Sequence, residues 1–172
     1  GVDITELKQM QDALAASEEM FRAISTNATD AIVLLDKADE VVYWNPAAEK
    51  IFGYTREEAI GKKLARLIVP PKYRRKYLNE LRKLFDGGKP ASLPAEVTGI
   101  RKDGTECPIE LSTSVLSLKG SQYVLQIIRD VSERKKMEEA VKQERDLLEA
   151  VTENVGAGLG IISRDYRIRW VN

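Results

Sequence analysis

The stretch NPAAEKIFGYTREEAIGK, residues 45–62, holds two helix starts in a span too short for one long helix. Asn45 stands where a side-chain oxygen can cap the first free N–H groups of a helix. Pro46 follows at the first helical position, where a missing N–H costs nothing. Gly53 stops that helix. Thr55 and Glu58 then have capping-box spacing, so a second short helix begins at once. Capping is sufficient reason for Asn45, ahead of any ligand contact.

Upstream, AIVLLD (31–36) and EVVYWN (40–45) are β-rich runs separated by KAD, which reads as a hairpin. Before them, residues 4–28 repeat apolar positions at helical spacing through Leu7, Met10, Leu14, Phe21 and Ile24. Downstream, PPKYRRKYLNELRKLFDGG (70–88) is a longer helix opened by Pro71 and closed at Asp86-Gly87-Gly88. Three strand runs follow, SLPAEVTGIR (92–101), TECPIELSTSVLSL (105–118) and SQYVLQIIRD (121–130). They are joined at Asp103-Gly104 and Lys119-Gly120 by hairpin turns. A charged helix over 132–154 comes next, and GLGIIS…YRIRWVN restarts the first hairpin. Strand runs on both sides of a helical segment predict an α+β fold with one antiparallel sheet.

Composition removes several functions. The 172 residues carry 27 basic and 27 acidic side chains, so charge favours neither nucleic acid nor an anionic membrane as partner. No apolar run approaches the length of about 20 residues that a spanning helix needs, and no signal peptide is visible; a cytoplasmic location is expected. The single cysteine, Cys107, cannot form an internal disulfide. With no histidine in the chain, His-based acid–base catalysis, imidazole metal sites and His-ligated haem are unavailable.

The ends of the sequence echo one another. Laying Asp3 on Asp130 aligns, without a gap, Met10 with Met137, Ala13 with Ala140, Asn27 with Asn154 and Asn45 with Asn172. The expected organisation is a cut from a tandem array. Residues 1–17 are the exit and linker helix of a preceding module, 18–131 a complete one, 132–154 a linker helix, and 155–172 the start of a third. That last hairpin, lacking its sheet, is expected to be disordered or packed on another copy.

The order of elements, with YWNPAAEKIFGYTREEAIGK, GIRKDGTECPIELS and IIRDVSERKKMEE in sequence, resembles the PAS sensory domain. The resemblance implies a PAS fold, with a five-stranded antiparallel sheet, short helices on one face and long linker helices flanking it. It also implies an input and dimerisation module of a multidomain signalling protein, such as a sensor histidine kinase or cyclic-dinucleotide enzyme. Such domains hold flavin, haem or small metabolites in the cleft between sheet and helices, or hold nothing.

No catalysis is expected in these residues, and no cofactor. The flavin photosensor branch needs a cysteine just after the two short helices, where this chain reads GKKLARLIVPP. Cys107 reads as a small buried hydrophobe in line with Ile109 and Leu111. An unknown small ligand is compatible with the cleft. Gln126 shares a strand face with Val124 and Ile128, and the resemblance turns that face into the cleft. Its amide is either a polar handle for a ligand or a structural bond to backbone or water; both readings stand. The expected cleft joins Gln126 with Ile32, Leu34, Phe52, Leu67, Val97, Leu111, Val124 and Ile128. The opposite face of the strand, Tyr123, Leu125 and Ile127, is also apolar and is expected to be covered. The KYRRKY cluster (72–77) reads as a solvated helix face. Glu96, Glu106 and Glu110 read as cross-strand ion pairs with neighbours such as Arg101 and Lys102.

Asp130 and Ser132, like Asp3 and Thr5, stand at strand-to-helix junctions and are expected to cap the linker helices and transmit a signal. Leu7, Met10 and Leu14, with Met137, Val141 and Leu148, are expected to form a parallel homodimer, weakened by Ser17 and Glu144 in the seam. Phe21 and Ile24 are expected to pack on their own domain. The alternatives are a purely structural dimerisation module with a filled core and a redox sensor holding flavin non-covalently.

Overall fold

The computed structural model describes residues 3–166, with side chains through residue 156. Helix α1 (Ile4–Asn27) leads into strands β1 (Ala31–Leu35) and β2 (Val41–Trp44). Three short helices follow, α2 (Pro46–Phe52), α3 (Arg56–Ala59) and α4 (Leu64–Leu67). A 3-10 turn at Pro71–Tyr73 opens α5 (Arg74–Phe85). Strands β3 (Ala95–Ile100), β4 (Glu106–Leu118) and β5 (Ser121–Asp130) complete the sheet, and α6 (Ser132–Tyr166) is the last described element.

The five strands run in the order β2-β1-β5-β4-β3, all antiparallel. This order brings the central strand, β5, against both β1 and β4. Ala31, Val33 and Leu35 of β1 face Ile128, Gln126 and Val124 of β5. Together with Cys107 and Ile109 they bury one sheet face under Phe52, Leu64, Leu67, Ile68 and Leu81 of the helical segment. Backbone bonds fasten the helices to the sheet: Ile100 N–H donates to the Ile68 carbonyl at 2.9 Å, and Lys102 N–H to the Phe52 carbonyl at 2.8 Å. The 61–63 connector covers the β2 edge, where Val41 N–H donates to the Lys62 carbonyl at 2.9 Å.

The two short helices at 45–62 form as their caps dictate. Asn45 accepts from Ala48 N–H, Gly53 ends α2 at φ 83°, and Thr55 and Glu58 make both bonds of a capping box. Helix α1 is capped by Asp3, whose Oδ1 accepts from Thr5 N–H at 3.2 Å. Near its other end, Phe21 packs on Tyr43 with ring centroids 5.5 Å apart, and the Ser25 hydroxyl bonds the Tyr43 hydroxyl. Ile24, expected to pack beside Phe21, is instead exposed.

Two expectations on the sequence are corrected. The outer face of β5 is only partly covered, since Ile127 is exposed. The last helix also continues past residue 154, through Tyr166, in place of the expected hairpin over 155–172; residues 167–172 lie outside the described residues. A helix satisfies its own backbone groups along its length. Taken by itself, α6 carries ion pairs at helical spacing, Lys136 with Glu133 and Arg134 with Glu138, each at 3.6 Å.

Candidate functional site

The site begins at a turn. Asp36 Oδ1 accepts from Ala38 N–H and Glu40 N–H at 2.8 and 2.9 Å, which tightens the β1–β2 hairpin. That tightening holds Asp39 in the left-handed region at φ 64° and turns its carboxylate inward, leaving the residue 4% exposed. Asp39 Oδ2 accepts from Ala65 N–H at 3.0 Å, near the start of α4. Asp39 Oδ1 accepts from the Tyr77 hydroxyl at 2.9 Å, from α5. Tyr77 also lines one cavity with Gln126 of β5. A buried polar link therefore joins the hairpin turn to α4 and α5.

Burial pushes the Asp39 carboxyl above its ordinary value, against the Ala65 N–H, the Tyr77 hydroxyl and the Lys63 ammonium. Burial and the Asp39 charge hold Tyr77 well above the usual phenol range, so it stays protonated and can donate.

A cavity of about 460 Å³ lies between α5 and β3. Its wall is mostly apolar, with Ile68, Val69, Val97, Ile109, Leu111 and Ile128. Gln126 and Tyr77 supply inner polar groups, and Lys76, Glu80 and Glu96 supply charge. Val97, on edge strand β3, is 41% exposed, so the cavity reaches the surface there.

Of the residues predicted for the cleft, Gln126, Val97, Leu111 and Ile128 line this cavity. Phe52, Leu67 and Val124 are buried in the adjoining core but do not line it. Ile32 and Leu34 are corrected to the other side of the sheet, because β1 turns Ala31, Val33 and Leu35 inward. In AIVLL both alternation phases are apolar, so the pattern could not choose between them.

At the end of β5, Asp130 Oδ2 lies 2.8 Å from Arg101 Nη2, and Arg101 also bonds the Ile51 carbonyl of α2. Ser132 opens α6. Asn45 is fully buried: its Oδ1 accepts from Ile32 N–H at 2.9 Å and Ala48 N–H at 3.0 Å. Its Nδ2 donates to the Ser25 and Asp30 carbonyls at 3.2 and 3.1 Å. Asn45 is thus a junction between α1, β1 and α2 as well as a cap.

Glu110 pairs across strands as expected, with Arg129 of β5, whereas Glu106 pairs with Lys72 of the 3-10 turn. Glu106 takes Lys72 at 3.0 Å, and Glu110 lies 3.9 Å from Arg129. Lys102 takes Glu58 at 2.7 Å. Burial pushes the Cys107 thiol up, which keeps it unreactive. Among the described residues, no group of three or more His, Cys, Asp or Glu could hold a metal ion, and no helix is long and apolar enough to cross a membrane.

Asp39 and Tyr77 were not legible as site residues. KAD reads as an ordinary turn, and Tyr77 was absorbed into a cluster read as solvated. That reading of KYRRKY holds for the exposed Lys72, Arg75 and Lys76 and is corrected for Arg74 and Tyr77, which are half-buried. Tyr73, Lys76 and Tyr77 line the cavity, and Arg74 Nε caps α4 by donating to the Ala65 and Val69 carbonyls at 2.9 and 3.1 Å. The Tyr73/Tyr77 pair at i, i+4, followed by Leu81, was the available signal of an inward stripe.

The sheet is thus roofed on one face by short helices, with a side-chain-walled cavity between α5 and β3. The PAS fold family matches residues 19–131, and the chain belongs to it. It is 35% identical to the oxygen sensor protein DosP of Escherichia coli, over 75% of this chain and 16% of that protein. It is 30% identical to the sensor protein FixL of Bradyrhizobium diazoefficiens, over 83% of this chain and 28% of that protein. The chain thus spans under a third of either relative. Among solved structures, the PAS domain of a protein from Colwellia psychrerythraea superposes with a TM-score of 0.57 at 25% identity, covering 67% of this chain and 97% of that one.

Proposed function

We propose that this domain is the sensory input of a larger signalling protein, such as a sensor histidine kinase, and takes a small, mostly apolar organic ligand into the cavity between α5 and β3. One observation carries the reading. Gln126, on the central strand, lines a cavity of about 460 Å³ whose wall is otherwise largely aliphatic. A polar group set in an apolar wall is how binding sites orient a ligand. Four residues beyond Gln126 the strand ends at Asp130, and α6 begins at Ser132. A ligand that moves β5 therefore acts on the strand that continues into the signalling helix.

These residues act by binding and carry no catalytic step of their own. The ligand is not a coloured cofactor: the chain has no histidine to hold haem, and its one cysteine, Cys107, is buried on β4 and does not belong to GKKLARLIVPP. Oxygen sensing, named for one relative, is not carried over. The output is transmitted by a parallel homodimer. Exposed Leu7, Met10 and Leu14 on α1, and exposed Met137, Val141 and Leu148 on α6, support this pairing. Native mass spectrometry of the purified chain tests the ligand reading: a co-purified organic molecule of stoichiometric abundance, lost in Gln126→Leu, is the expected result. Retention of that molecule by Gln126→Leu at unchanged abundance counts against Gln126 as its handle.

A further inference from the structure

We propose that the cavity is one end of a longer groove, and that its occupant is a straight-chain amphiphile whose carboxylate head meets Lys89 at the other end. The proposal rests on the cavity reading above and adds the shape and charge of the ligand. A second cavity, of about 280 Å³, adjoins the first. Both are lined by Glu80 of α5, Ala95 of β3 and Leu111 of β4, so all three elements run from one into the other. Ala95 and Leu111 are cross-strand partners. On α5 the lining residues advance from Tyr77 and Glu80 to Lys83 and Leu84. On β4 they advance from Ile109 through Leu111 to Thr113, which share one strand face. Ile109 to Thr113 spans about 13 Å of strand. An extended chain suits that length, and a compact ring system fills only one of the two cavities.

Charge differs between the ends. Lys76 and Glu96 stand at the first cavity, one of each sign. At the second, Lys83 is held by Glu80 at 2.8 Å, whereas Lys89 makes no ion pair among the described residues. The backbone places Lys89 there. Gly88 N–H donates to the Lys83 carbonyl at 2.9 Å, and a Cβ at Gly88 would stand 2.6 Å from that oxygen. Glycine is what lets the chain fold back so closely against the end of α5. The carbonyls of Arg82, Lys83 and Leu84 already accept from the Asp86, Gly88 and Gly87 N–H groups. The Lys89 ammonium is therefore the group that selects the head of a ligand whose tail lies on Ile68, Val97, Ile109 and Ile128.

The test is calorimetric titration of the full chain at neutral pH with three probes. Decanoate and decanol share one tail and differ in head charge, and indole is compact enough for the first cavity alone. The wild type should bind all three, with decanoate tighter than decanol by roughly threefold to fivefold, the scale of one exposed ion pair. Lys89→Glu, at an exposed loop residue, should reverse that preference and leave indole unchanged. Ala91→Trp adds bulk to the second cavity from the same exposed loop. It should weaken decanoate and decanol by roughly tenfold or more, as buried methylenes are lost, and leave indole unchanged. Equal wild-type affinities for decanoate and decanol, or a decanoate preference that survives Lys89→Glu, overturn the assignment of the head. Decanoate affinity unchanged in Ala91→Trp overturns the groove. In each of these cases indole still binds and the cavity reading stands. If no probe binds at millimolar concentration, the cavity reading fails and this proposal fails with it.

Discussion

The Tyr77 hydroxyl donates to Asp39 Oδ1 at 2.9 Å, joining the middle of α5 to a tight turn between β1 and β2. The two residues are far apart in sequence, and neither belongs to a recognisable motif. Their bond matters because Tyr77 lines the same cavity as Gln126. Whatever displaces Tyr77 therefore disturbs a bond that reaches both α4 and the first hairpin. Buried polar chains of this kind are costly to leave half-made, so the fold strongly prefers one arrangement of them.

The first expectation concerns pH. Burial raises the Asp39 pKa above 3.8, so the folded protein holds that proton more tightly than the unfolded chain does. The stability this group contributes is fully present below the unfolded value and is lost as pH rises through the folded one. In chemical denaturation, the stability of the wild type minus that of Asp39→Asn should be largest below pH 3.8 and should decline as pH rises above it. A difference that grows over the same range contradicts this assignment.

Asn45→Ala should be among the most destabilising single changes. It removes four hydrogen bonds inside the protein and strands the Ile32 and Ala48 N–H groups. A loss of about 2–4 kcal/mol is expected, read as a lower denaturation midpoint at unchanged slope. A loss below about 1 kcal/mol means that water takes over these bonds.

The linker helices supply a third expectation. Leu14 and Val141 are exposed and belong to the apolar seams of α1 and α6. In sedimentation velocity the wild type should run as a dimer, and the Leu14→Glu, Val141→Glu double variant as a monomer. A monomeric wild type at high concentration removes the dimer from the proposal. A variant that remains dimeric places the interface on the domain instead.

Optical absorption gives a fourth. Purified protein should show only the aromatic band of its Trp and Tyr residues. A stoichiometric flavin or haem band defeats the proposal of an uncoloured ligand.

Much of this architecture was legible because local signals agreed with one another. The caps at Asn45, Thr55 and Glu58, and the turn at Asp103-Gly104, determine their conformations without help from distant residues. Gln126 was legible because a lone amide interrupts an apolar alternation. The phase of β1 was not, since Ile32 and Leu34 are as apolar as the Val33 and Leu35 that actually turn inward. Asp39 was hidden for a different reason. Nothing in KAD says that a turn carboxylate will be buried; only α4 and α5, packing over it, make that so.

The central claim is that the space between α5 and β3 receives a ligand, and its most direct measurement is fluorescence titration with N-phenyl-naphthylamine. This probe is neutral, apolar and bears one N–H, and its emission rises on leaving water. Wild-type protein should give a saturable gain at one probe per chain. Val97→Trp adds bulk at the cavity mouth, at a residue exposed enough to be replaced without disturbing the core, and should abolish the gain. A wild type with no saturable gain, or a Val97→Trp variant that binds as the wild type does, contradicts the claim.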